Sequence, residues 1–246
     1  MKILLFVTGF RHLEEYGYFN RFLRRLNSLP SMCDLFIYCN NPHISGEIVA
    51  RYQAFEQKNK YLHLTTLNVG FKMGGVEAVS RGMAMGAFEG YDYVVHLHPD
   101  VFIVDDSPMV AIMTQNLAND CVFFVNRGDP DDSRFFCFDF FIFKPRLLTR
   151  NVFLDALYTF QGIPEHWLSD MLANNAIAYH VVKRFAENRW HPRRVDEHLG
   201  LYHEHDLGLV DDLLNRLPAT AAPSPRTLPK WQPPLVALHP SDVTDP

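Results

Sequence analysis

The sequence lacks a CxxC pair and a long basic block, and it does not open on a long hydrophobic run. Each of its four cysteines lies in or beside an apolar stretch, which predicts buried, reduced thiols and a cytoplasmic protein. A formal net charge of −5 without a basic block argues against nucleic acid as the main partner. The first apolar run, residues 3–9, is too short for a signal-peptide core with its cleavage site, so we predict a buried strand there.

Two common phosphate-binding loops are also missing. The segment GFKMGG, residues 70–75, lacks the Gly-Lys-Ser/Thr of a Walker loop and does not match GxGxxG. Its three glycines nevertheless precede a predicted helix. Glycines permit close backbone approach and a helix N-terminus favours anions, so an anion-binding turn remains compatible with this segment.

Short apolar runs alternate with amphipathic stretches in a chain of 246 residues, which is long enough for one large domain or two small ones. The predicted elements of the first half are strand 3–9, helix 18–29, strand 33–41, helix 45–58, strand 61–70, helix 74–90 and strand 91–103. This rhythm is typical of a mostly parallel sheet that is covered on both faces. Such sheets bind ligands beyond the carboxyl ends of their strands.

The second half has a different composition. Its predicted elements are strands 121–132 and 135–145, helix 147–161, and a helix over 164–182 that runs into a strand. Residues 218–246 hold half of the chain's 16 prolines and cannot form regular helix or sheet. We therefore predict an α/β domain over residues 1–217 and a proline-rich tail over 218–246. The composition of the tail is compatible with disorder, a lid or an arm that joins a homo-oligomer.

The stretch HLHPD places two histidines and an aspartate at the end of a buried strand. His96, His98 and Asp100 share one face of the strand unless Pro99 breaks the alternation. Proline is disfavoured in a central strand, so the strand should end near His98 and leave Asp100 in the turn beyond. A carboxylate there can hold a divalent metal or a ligand hydroxyl. The alternative is a core histidine followed by an aspartate that caps a turn.

Residues 67–101, LNVGFKMGGVEAVSRGMAMGAFEGYDYVVHLHPDV, resemble a central segment of the GT-A glycosyltransferases. The matching features are an N-x-G turn, a small-residue helix and an Asp-x-Asp-type motif: Asn68, Gly70, Gly74 and Gly75 in the turn, Ala78 to Ala87 in the helix, and His98-Pro99-Asp100 in the motif. The resemblance implies a GT-A-like single domain with a mixed, mostly parallel sheet flanked by helices. It also implies transfer of a sugar from a UDP-, GDP- or dTDP-sugar to a glycan or lipid-linked acceptor, as in polysaccharide biosynthesis. A lipid-linked acceptor would make the enzyme a peripheral membrane protein.

The same resemblance assigns the donor site. It places the base and ribose at Thr8, Gly9 and Asn40 or Asn41, and the diphosphate at Gly74 with the cations Lys72 and Arg81. The metal, Mn²⁺ or Mg²⁺, falls to Asp100 and to His98, which occupies the first acidic position of the motif. His203 or His205, in the stretch YHEHD, matches a late histidine that completes the metal or diphosphate site. The alternative for Lys72 and Arg81 is a solvated surface charge, and the alternative for His203 and His205 is an exposed polar loop.

A base is needed to take the proton from the acceptor hydroxyl in an inverting, single-displacement reaction. In PEHWLSDML the resemblance places it at Glu165, with Asp170 as the second choice. The alternative is that Glu165 only favours the start of a helix.

Two other functions compete with sugar transfer. The first is a metal-dependent hydrolase that uses His96, His98 and Asp100 with the second histidine cluster. The second is a non-catalytic module that binds a nucleotide or a glycan, which the histidine in the first acidic position suggests.

Overall fold

The computed structural model describes residues 1–9, 13–40, 45–65, 73–119, 123–127, 132–148, 162–184, 195 and 199–217. Its strands are β1 (Ile3–Gly9), β2 (Cys33–Cys39), β3 (Lys60–Leu64), β4 (Tyr93–Leu97), β5 (Val101–Ile103), β6 (Phe123–Arg127), β7 (Phe136–Phe143), β8 (His180–Arg184) and β9 (Leu201–His203). Its helices are α1 (Leu13–Leu23), α2 (Leu29–Met32), α3 (Ser45–Gln53), α4 (Gly74–Ala84), α5 (Ser107–Gln115), α6 (Pro164–Asn174) and α7 (Leu207–Arg216), with a 3₁₀ turn at Pro145–Leu147.

Seven strands form the central sheet in the order β3-β2-β1-β4-β7-β6-β8. The pairs β1–β2, β1–β4, β2–β3 and β6–β8 are parallel, whereas β7 is antiparallel to both β4 and β6. Strand β7 therefore begins at the edge where β1, β2 and β4 end. The predicted mixed, mostly parallel sheet is confirmed, and its carboxyl edge carries the polar residues that end the strands.

The middle strands of the central sheet are buried on both faces, as their apolar sequences predict, whereas the edge strand β3 is partly exposed. Along β1, Leu5 contributes to the core on one face and Leu4 and Phe6 to the core on the other, and all three are fully buried. Helices α1, α3, α5 and α7 cover the first face, and α4 and α6 cover the second. The helices that connect parallel strands pack on the faces of the sheet and so keep water from both of them.

Two predicted elements differ clearly from the structure, and two predicted segments are not tested by it. The first helix spans 13–23 instead of 18–29, and its first turn carries Glu14 and Glu15, which favour a helix N-terminus. The predicted strand 91–103 is two strands, β4 and β5, because the turn at His98–Asp100 interrupts it, and β5 joins a separate two-stranded sheet with β9. The predicted helix 147–161 and the tail 218–246 fall largely or wholly outside the described residues.

Among the described residues, Cys33 and Cys137 are free thiols. Cys33 and Cys39 are buried and Cys137 is half-buried, while Cys121 lies outside the described residues. Among the helices of the described segments, none combines the length and the apolar character that crossing a bilayer requires.

Candidate functional site

Glycines at the carboxyl edge let three chain segments approach one another closely. A Cβ on Gly9, the last residue of β1, would lie 3.0 Å from Pro99 Cγ. A Cβ on Gly75 would lie 2.5 Å from Phe138 Cε1 and 3.5 Å from His98 Nε2, so the first turn of α4 abuts the HLHPD stretch. The glycine turn and the histidine–aspartate stretch, which are separate in sequence, therefore meet at one place.

The small sheet β5–β9 completes this place. Antiparallel pairing sets Val101 opposite His203, and the main-chain N–H of Glu204 donates to the carbonyl of Asp100 at 3.3 Å. The pairing holds the YHEHD stretch against the turn that follows β4. His203 and His205 are two residues apart on an extended segment, and both reach Asp100.

Asp100, His203 and His205 form a cluster whose potential ligand atoms all lie within 4.8 Å of one another. Asp100 Oδ2 is 3.0 Å from His205 Nδ1 and 3.6 Å from His203 Nε2. Burial alone would raise the pKa of Asp100, but the two histidines hold it well below its usual value. Burial opposes the charge on His203, yet the carboxylates of Asp100 and Asp139 outweigh it and raise the pKa of His203 to about 9.

The cluster fits a divalent metal ion. Within the described segments, the buried atoms Asp100 Oδ1 and His203 Nε2 have no hydrogen-bond partner, an arrangement that a bound cation would satisfy. One carboxylate and two imidazoles are ligands that Mn²⁺ and other transition metals accept, whereas Mg²⁺ prefers oxygen ligands alone. The predicted ligands Asp100, His203 and His205 are thus brought together.

His98, also predicted as a metal ligand, lies outside that three-residue cluster. Its Nδ1 is 3.0 Å from Asp139 Oδ1 on β7. Burial opposes the charge on His98, but its hydrogen bond to Asp139 and the charge of that carboxylate raise its pKa. Sequence reasoning missed Asp139, although a charged residue inside the apolar strand FCFDFFIF was a usable signal.

His96 belongs to the core. It is fully buried, its Nε2 is 2.9 Å from Thr8 Oγ1, and its ring stacks on Phe141 at 4.4 Å between centroids. A hydrolase site that uses His96 and His98 as a ligand pair is not supported, because the ring of His96 is bound to Thr8 in the core and the ring of His98 is paired with Asp139. The core-histidine alternative is correct for His96.

The residues predicted to bind the nucleotide have mixed outcomes. Thr8 is buried with its hydroxyl directed to His96, so its backbone is the part near the edge. Arg81 Nε donates to Glu77 at 2.7 Å, so a carboxylate already balances the charge of Arg81. Gly74 packs against Asn40, since a Cβ there would lie 2.4 Å from Asn40 Nδ2. Asn41, Lys72, Asn68 and Gly70 lie outside the described residues.

Glu165 lies in the first turn of α6, is half-buried and interacts electrostatically with Asp139 and His98. Burial raises the pKa of Glu165 above its usual value, and the negative charge of Asp139 adds to the shift. Asp170 is five residues further along α6, so helical geometry turns its side chain away from that of Glu165 by about 140°. Beside Glu165, His166 Nε2 is 2.6 Å from Asp132 Oδ2.

No protein-family model and no curated protein sequence matches this chain. Solved structures do match. A proposed nucleotide-diphospho-sugar transferase from Desulfovibrio desulfuricans G20 aligns with a TM-score of 0.51 at 13% identity, over 87% of this chain and 98% of its own. Mouse xyloside xylosyltransferase 1 in its apo form aligns with a TM-score of 0.50 at 12% identity, over 84% of this chain and 98% of its own. Likenesses at this identity establish the fold alone, which is GT-A-like.

Proposed function

We propose that the protein is a glycosyltransferase that moves a sugar from a nucleotide-sugar donor to a glycan or lipid-linked acceptor. One observation carries the proposal: the metal-capable cluster of Asp100, His203 and His205 lies beside a glycine-lined helix N-terminus at the carboxyl edge of the sheet. Open parallel sheets bind ligands at this edge. The two structures with a matching fold carry names of sugar transferases, which supports the same class of reaction.

The donor half of the reaction needs compensation for the charge of a departing diphosphate. When bound at Asp100, His203 and His205, Mn²⁺ would supply that charge as a Lewis acid. The chain itself contributes the start of α4, whose N-terminal amides favour an anion. Gly9 and Asn40, at the ends of β1 and β2, are the nearby groups that would contact the nucleoside.

The acceptor half needs a base. Glu165 takes the proton from the acceptor hydroxyl. The hydroxyl oxygen attacks the anomeric carbon of the donor sugar, and the nucleoside diphosphate leaves. Its raised pKa suits this role, because a stronger base takes up the proton more readily. One such displacement inverts the anomeric centre, so we propose an inverting enzyme with Glu165 in this role and Asp170 as the reserve candidate.

Thermal-shift measurements with UDP-, GDP- and dTDP-sugars, with and without Mn²⁺, test the donor assignment. We expect one nucleotide sugar to raise the Tm in the presence of Mn²⁺, because a ligand that binds only the folded state stabilises it. The same donor should be hydrolysed slowly without an acceptor. Stabilisation with no hydrolysis or transfer would identify a binding module. Tightly bound zinc with no response to any nucleotide sugar would contradict the proposal.

A further inference from the structure

Asp139 is a carboxylate that the proposed reaction has not yet used. It lies in the first half of β7 and directly precedes Phe140, which pairs with Leu97 of β4. Its carbonyl oxygen accepts the main-chain N–H of His98 at 3.0 Å, and its side chain meets the His98 ring at the same distance. The backbone and the side chain therefore fix Asp139 to the HLHPD turn.

The side chain of Asp139 lies between two imidazole rings. Oδ1 faces Nδ1 of His98 at 3.0 Å, within hydrogen-bond distance. Oδ2 accepts the Cys137 thiol and faces Nδ1 of His203 at 3.9 Å, an ion-pair distance that is longer than a hydrogen bond. The opposite nitrogen of His203, Nε2, faces Asp100 at 3.6 Å and has no hydrogen-bond partner among the residues that the structure describes. The Asp139 carboxylate thus faces Nδ1 of His203, while Nε2 of the same ring belongs to the candidate metal cluster.

We propose that Asp139 is the positioning residue of the metal centre, holding His203 with Nδ1–H toward β7 so that Nε2 presents its lone pair to the metal beside Asp100. This inference rests on the metal site of the proposed function. A metal-bound histidine is oriented by the acceptor of its second ring N–H, and removal of such an acceptor commonly weakens metal binding about 10–100-fold. The same carboxylate fixes His98, which directs its Nε2 toward the first turn of α4.

In the proposed arrangement both neighbouring rings direct an Nδ1–H at Asp139, which a carboxylate can accept. Two imidazoles with Nδ1–H need two acceptors, which the two oxygens of an aspartate supply. Asparagine has nearly the same shape but one acceptor and one NH₂ donor, so it can serve only one of the rings. Asp139→Asn therefore removes the proposed orientation of one histidine while it preserves volume.

Calorimetric titration with Mn²⁺ alone tests this role without any sugar nucleotide. We expect D139N to bind Mn²⁺ about 10–100-fold more weakly than the unmodified protein. The matched control is D132N, which changes another aspartate paired with a histidine, His166, that is not a candidate ligand. D132N should bind Mn²⁺ as the unmodified protein does. Equal Mn²⁺ affinity in D139N and D132N would overturn the inference.

A second measurement uses the unmodified protein and so does not depend on the folding of a variant. In Zn²⁺-loaded protein with ¹⁵N-labelled histidine, long-range ¹H–¹⁵N spectra show which ring nitrogen carries the proton. We expect His203 to keep its proton on Nδ1 and to bind the metal through Nε2. Coordination through Nδ1 would overturn the inference.

The two proposals fail in different ways. Mn²⁺ binding that weakens in D139N, in a protein that transfers no sugar, supports the role of Asp139 and rejects the glycosyltransferase. Transfer that needs Mn²⁺ but has the same metal affinity in D139N supports the glycosyltransferase and rejects the role of Asp139. A protein that binds neither Mn²⁺ nor Zn²⁺ rejects the role of Asp139, while the nucleotide-sugar screen still decides on the enzyme.

Discussion

The stretches HLHPD (96–100) and YHEHD (202–206) look alike but have different tasks. In the first, one histidine is a core residue bound to Thr8, the other pairs with Asp139, and the aspartate enters the metal-capable cluster. In the second, both histidines belong to the cluster and the aspartate caps a helix. The carboxylate of Asp206 accepts the N–H of Gly208 at 2.9 Å at the start of α7.

The difference shows that the neighbouring strands, more than the motif, decide the role of each side chain. His96 lies in β4, between β1 and β7 in the middle of the sheet, where both faces are covered. His203 ends β9, a strand of the small sheet whose only partner among the described strands is β5. Two similar sequences thus contribute complementary parts of a single centre.

The largest difference in metal binding should be between alanine variants of the two aspartates, Asp100 and Asp206. Asp100→Ala removes the only carboxylate of the three-residue cluster, so we expect Mn²⁺ binding and sugar transfer to fall below detection. Asp206→Ala should keep metal binding and lose about 1 kcal/mol of stability, because it removes a helix cap. Metal titration and urea unfolding of both variants measure the contrast. Full activity in D100A would refute the assignment of that residue.

A large loss of turnover should follow a change outside both stretches. Glu165→Gln should lower turnover by about 10²–10⁴-fold, the usual contribution of a general base, and leave donor affinity unchanged. In the unmodified enzyme activity should rise with pH, because Glu165 must lose its proton to act as the base. The midpoint should lie above 4.5, since burial raises the pKa of Glu165. Unchanged turnover and pH profile in E165Q would place the base elsewhere.

An intermediate effect should separate the core histidine from a ligand. His96→Ala opens a cavity between Thr8 and Phe141, so we expect it to destabilise the fold by about 2–4 kcal/mol while the remaining folded protein binds Mn²⁺ normally. His203→Ala should do the reverse, with weakened Mn²⁺ binding and a small change in stability. Identical stability losses in the two variants would contradict the contrast between the stretches.

The smallest effect should come from the glycine beside His98. Gly75→Ala places a Cβ 2.5 Å from Phe138 Cε1, so we expect a loss of about 1–3 kcal/mol in stability and weaker donor binding. The control is Gly46→Ala in α3, where the new Cβ has open space. It should stabilise the protein by up to about 1 kcal/mol, because alanine is the better helix former. Thermal unfolding compares the two, and an equally stable G75A would contradict the close approach.

Much of the fold was predictable because the local pattern of apolar and polar residues indicates strands and helices. The apolar run of β1 and the alternation of elements indicated a parallel sheet, and Pro99 indicated where β4 ends. The role of Asp139 was not predictable, because its partner His98 is 41 positions earlier in the chain and His203 is 64 positions later. Only the antiparallel insertion of β7 between β4 and β6 brings it to the carboxyl edge.

The sequence by itself determined the α/β class, the turn at His98–Asp100 and the types of side chain available for a metal. The tertiary structure decided which of those side chains meet: Asp100 with His203 and His205, His98 with Asp139, and His96 with Thr8. The physical reason is that hydrophobic periodicity is a local property of the chain, whereas a metal centre depends on distances between segments that only strand order and strand direction fix.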